Sequence, residues 1–145
     1  MIPWWMRLIL SLASTLIGAC AGGAFLETWS LLEPNAHFQL VDLFWSAFVV
    51  LAFGIPGWLL ATPIVLSVTN FRGWRTGFYL ALGTCIGPVV VLGQALFESH
   101  GNPRNDGHWA DRSWGLAALA AGVSCVTTLA YLALFKRASL HFEGY

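Results

Sequence analysis

The sequence predicts an all-α, polytopic integral membrane protein: four transmembrane helices in a compact bundle, with both termini in the cytoplasm. Three observations carry this reading. Of the 145 residues, 57% are hydrophobic and 10% charged, whereas a soluble domain carries about 25% charged residues. The mean hydropathy is +0.69, and four apolar runs each approach the roughly 20 residues that a helix needs to cross the hydrocarbon core. The basic residues fall mostly on one side of those runs. Residues 1–145 read as a single membrane domain, with spans at about 8–26, 43–68, 77–97 and 113–135 and outer loops at about 27–42 and 98–112.

The first span contains two competing signals. Ile17-Gly18-Ala19-Cys20 resembles the lipobox of bacterial lipoproteins, preceded by Arg7 and an apolar stretch. That resemblance implies cleavage before Cys20 and lipid on its thiol. Ser14, Gly18 and Gly22, with Ser11 before them, also form a small-residue stripe at spacings of three and four, which suits a retained packing helix. The apolar run continues through Leu26, just within spanning length, and cleavage would leave a tether on a further polytopic bundle. The retained helix is the expectation, with Cys20 as a small packing residue.

The second span, Leu43 to Val68, holds 14 Leu, Ile, Val or Phe residues, worth roughly 4–8 kcal/mol of insertion free energy. Its small residues are Gly54, Gly57 and Ala61. Pro56 and Pro63 inside it, and Pro88 in the third span, each remove a backbone donor and predict kinks. The third span carries Gly77, Ala81 and Thr84, plus a GxxxG formed by Gly83 and Gly87. The fourth, Ser113 to Phe135, holds only eight strongly apolar residues, or roughly 2–5 kcal/mol. Such a helix depends on partners, and its stripe reads Gly115, Ala118, Gly122 and Cys125.

Orientation follows from Lys and Arg. Arg7, Arg72, Arg75, Lys136 and Arg137 fall on one side, while Arg104 and Arg112 sit opposite among acidic residues. Trp4, Trp5 and Trp74 mark the inner boundary; Trp29, Trp45, Trp109 and Trp114 mark the outer one, where indole rings settle. Trp58 alone falls near mid-membrane.

Several chemistries are disfavoured. The net charge is zero, so nothing marks a nucleic-acid partner. No Asp, Glu, Lys, Arg or His lies within the four spans as bounded above, which argues against proton coupling and haem ligation. Cys20, Cys85 and Cys125 lie in apolar segments, with no pair in an outer loop. That tilts the source towards a bacterial cytoplasmic membrane. The second outer loop concentrates Glu98, His100, His108 and Asp111, which could supply metal ligands, but their spacing matches no zinc motif. A solvated hairpin is the plainer reading, and no cofactor or catalytic group is expected. The leading expectation is a non-catalytic accessory subunit or assembly factor in contact with lipid and with other membrane subunits or copies of itself. The alternative is a small uncoupled channel or facilitator.

Overall fold

Helix formation can continue past a charged residue at the end of an apolar run, because backbone hydrogen bonding does not depend on the side chain carried. The computed structural model describes residues 2–30, 40–67, 74–101 and 108–143. They form four helices: α1 (Trp4–Ser30), α2 (Leu40–Ser67), α3 (Trp74–Gly101) and α4 (His108–Glu143). All four are long and apolar enough to cross a membrane. Each exceeds the span read from hydropathy, and the consequence is largest in α1. That helix takes in Arg7 and Glu27, 7% and 7% exposed. Both charges lie just outside the apolar run 8–26 and within the helix that carries it. Hydropathy stops at a charge, whereas burial depends on what the neighbouring helices present to it.

Pro56 and Pro63 lie inside α2 and Pro88 inside α3, and both helices run through them without a break. Residues 31–39, 68–73 and 102–107 lie outside the described residues, so the first outer loop, including Glu33 and His37, carries no structural account. α3 extends to Gly101 and α4 begins at His108, so both helices reach into the stretch read from sequence as the second outer loop.

The side-chain contacts fix the packing direction. Along α1, Arg7 meets Leu66, Ser11 meets Trp58, and Gly23 meets Ala47, so α1 and α2 are antiparallel. Gly18 against Thr127 and Gly22 against Val123 make α1 and α4 antiparallel, as Gly83 against Thr128 and Gly87 against Ser124 do for α3 and α4. The helices touch around a ring, α1–α2–α3–α4, and the α2–α3 seam is the thinnest of the four. At the end where the chain starts, Ile2 packs with Tyr131 and Phe135, flanked by Met6, Leu10, Val65 and Ala138.

Outward faces are as apolar as inward ones. Phe44 is 75% exposed and Leu59 60% exposed, alongside Phe48, Leu60 and Val89. That surface is what four membrane-crossing helices would present to lipid.

Candidate functional site

The interior is built from glycine notches filled by hydroxyls of one helix. A Cβ added to Gly18 would collide with Thr127 Oγ1, one added to Gly83 with Thr128 Oγ1, and one added to Gly87 with Ser124 Oγ and the Ala120 carbonyl. Ser124, Thr127 and Thr128 all lie on α4, within five residues, and so reach both α1 and α3. Small residues allow helices to approach closely where lipid provides no hydrophobic drive for association. On α1, Gly23 faces backbone: an added Cβ would lie 2.7 Å from the Ala47 nitrogen and 2.8 Å from its Cα. At Gly22 it would lie 2.7 Å from Val123 Cγ2 and 3.0 Å from Val50 Cγ1.

Inside this frame is a cavity of about 150 Å³, lined by all four helices. Ser11, Ser14 and Thr15 face it from α1, Gly54, Gly57 and Trp58 from α2, Tyr79 and Ile86 from α3, and Ser124 and Thr128 from α4. Ser11 is the polar hub. Its hydroxyl donates to the Leu8 carbonyl (2.8 Å) and accepts from Trp58 Nε1 (3.0 Å), while its carbonyl accepts from Ser14 Oγ (2.8 Å) and Thr15 Oγ1 (2.8 Å). Thr128 Oγ1 donates to the Ser124 carbonyl at 2.7 Å. These hydroxyls are bonded within the protein, and the lining contains no Asp, Glu, Lys, Arg or His. Chemically, the space suits apolar matter rather than an ion.

Different contacts flank the cavity toward its two ends. At the end near the N-terminus, the Ile2, Tyr131 and Phe135 cluster lies across it, with Arg7 beside it. Arg7 donates from Nε and Nη2 to the Ile2 carbonyl (3.2 and 3.1 Å) and from Nη1 to the Leu66 carbonyl (2.9 Å). Leu66 O is one of the last four carbonyls of α2, which have no partner within their own helix. At the other end, Gly22 and Gly23 bring α1 against Val123, Val50 and Ala47. Beyond them, Glu27 Oε2 accepts from Ser46 Oγ at 3.3 Å.

Of the packing residues read from sequence, the structure brings Ser14, Gly18 and Gly22 into the α1 contacts and Gly83 and Gly87 into those of α3. Ala118 and Gly122 lie on the outward face of α4, as does Gly115, and neither Gly115 nor Gly122 has anything within 4 Å of an added Cβ. The inward face of α4 instead carries Ala117, Ser124, Thr127, Thr128 and Tyr131. Cys20 and Cys85 are exposed and Cys125 is half-buried. Among the described residues no group of three His, Cys, Asp or Glu could hold a metal. Glu98 and His100 lie on the last turn of α3 and His108 and Asp111 on the first turn of α4; their side chains lie outside the described residues.

Sequence reading missed Gly23, Arg7 as a helix-end partner, and the hydroxyls of α4. A signal was present for the last: Ser124, Thr127 and Thr128 share spacings of three and four with one another. No family model matches this chain, and neither a curated protein nor a solved structure matches it.

Proposed function

We propose that the chain is a multi-pass protein of the cytoplasmic membrane, a bundle of four spanning helices with both ends on the cytoplasmic side. In this reading it is a non-catalytic accessory subunit or assembly factor that holds a partner transmembrane helix, or a second copy of itself, against α4. Arg7, Arg75, Lys136 and Arg137 gather at the end where the chain begins and finishes, which supports the orientation. The observation that carries the role is the outward track of Gly115, Ala118 and Gly122, which is exposed among the described residues. Small residues at this spacing allow another helix to approach closely.

The test separates assembly from folding. Gly122→Ile meets no neighbour within the chain, so its melting temperature in detergent should match the parent. After gentle extraction, blue-native electrophoresis should show a larger complex for the parent and a smaller species for Gly122→Ile. A parent that runs as a lone monomer under all gentle conditions ends the proposal. The facilitator alternative draws on the central cavity, but the Ile2, Tyr131 and Phe135 cluster at one end and the Gly22 and Gly23 contacts at the other oppose passage through a single chain.

A further inference from the structure

Access to the central cavity determines what can fill it. Three of the four helix seams close on backbone or on hydroxyls set into glycine notches: Gly23 on Ala47, Gly18 on Thr127, and Gly87 on the Ala120 carbonyl. At the α2–α3 seam, the described contact of Gly57 is with apolar side chains. An added Cβ at Gly57 would lie 3.4 Å from Ile86 Cγ2 and 3.8 Å from Val90 Cγ2, ordinary van der Waals contact. Phe53 lies one helical turn before Gly57 on the same edge of α2. It lines the cavity and is also 51% exposed, so its ring connects interior and exterior at that seam.

Toward one end the cavity adjoins the Ile2, Tyr131 and Phe135 cluster, and toward the other the Gly22 and Gly23 contacts. A molecule arriving from the side would meet Phe53, Leu82 and Ile86, all apolar. The cavity volume, about 150 Å³, is that of engineered apolar cavities which stay dry and take up benzene-sized hydrocarbon. The polar atoms of Ser11, Ser14 and Trp58 are bonded to one another or to backbone, and no charged side chain lines the cavity, so no formal charge is offered to an ionic headgroup. The geometry points to the cavity as a binding site for the hydrocarbon chain of a lipid, which enters sideways through the α2–α3 seam past Phe53 and leaves its headgroup outside. This inference rests on the membrane reading above, because only a bilayer presents acyl chains along that seam.

The experiment reconstitutes the full chain in phosphatidylcholine vesicles containing a phosphatidylcholine with a diazirine near the end of one acyl chain. After irradiation, adducts are mapped by peptide mass. Expected are adducts at cavity residues such as Ser14, Gly57 and Val90, above the level at outward Leu60 and Val89. Filling the space with Ala61→Phe should lower the cavity adducts severalfold and leave the outward ones unchanged. If that variant loses its cooperative melt, Leu82→Trp at the rim of the seam replaces it with the same expectation. Adducts confined to outward residues, or cavity adducts indifferent to both substitutions, overturn the site. Alkaline carbonate extraction of native membranes separates the two failures. A chain that is released refutes the membrane reading, whereas one that stays embedded with an unlabelled cavity refutes this inference alone.

Discussion

Arg7 shows how one residue can carry two duties that sequence reading separates. As a charge before an apolar run it is read as an orientation signal. As a buried guanidinium it also joins the Ile2 carbonyl to the Leu66 carbonyl, and so ties the start of the chain to the end of α2. Its planar fork spans two acceptors, which a lysine ammonium on a flexible stem matches poorly. Removing the charge relieves a desolvation cost, but it deletes the hydrogen bond to the part-buried Leu66 carbonyl, a net loss of about 0.5–1.5 kcal/mol. We expect Arg7→Met to lose stability in that range and Arg7→Lys to lose less, read from thermal melts in one detergent. A melt unchanged in Arg7→Met would refute the tie. Trp58→Phe tests a weaker link. It deletes one donor to Ser11 Oγ, whose own hydrogen still bonds the Leu8 carbonyl. A hydrogen bond between membrane helices contributes about 0.6 kcal/mol on average, so Trp58→Phe should melt within a few degrees of the parent.

At the scale of the element, glycines divide by what faces them. Gly23 and Gly87 abut backbone atoms, which cannot rotate away; Gly18 and Gly83 abut threonine hydroxyls, which can; Gly115 and Gly122 face open space. Alanine replacements should therefore rank in that order of damage, with Gly23→Ala and Gly87→Ala the worst. Gly115→Ala and Gly122→Ala should be neutral, or stabilising by up to about 1 kcal/mol through lower unfolded-chain entropy. Thermal melts of the six single variants check the ranking, and equal losses at Gly23 and Gly122 would refute it. Thr127→Ala should restore part of the loss in Gly18→Ala, because it removes the hydroxyl that collides with the new methyl. The number of helices was legible from hydropathy because crossing length is a property of each segment alone. Which face of α4 packs inward was not. Around α4, alanine and glycine occur on every side, and its outward and inward sides are both apolar, so the periodicity that marks a buried face in water has no counterpart. Gly115, Ala118 and Gly122 share a face in sequence and in structure, but only the contacts of Ser124 and Thr127 with α3 and α1 reveal that this face points outward.

For the whole molecule, the ring of contacts defines two tight hairpins, α1–α2 and α3–α4, joined chiefly through α1 and α4. The hinge between them is the hydroxyl-and-glycine meeting of Thr127 with Gly18 and of Val123 with Gly22, while α2 and α3 contribute a thin seam. This division explains how a weakly apolar α4 holds its place: its polar side chains are set into glycine notches on both neighbours and need not contact lipid. It also predicts that the covalent link between α2 and α3 is dispensable. Residues 1–70 and 71–145, expressed together as separate chains, should co-purify from gently solubilised membranes. Gly18→Ile in the first fragment places a branched side chain where Thr127 and the Val123 carbonyl lie, and it should abolish co-purification. Gly57→Ala at the α2–α3 seam meets only ordinary contact and should leave it intact. Each fragment must still melt cooperatively on its own, which circular dichroism checks. Fragments that fail to associate would refute the dispensable link, and fragments that associate equally well with Gly18→Ile would place the main junction at α2–α3 rather than α1–α4.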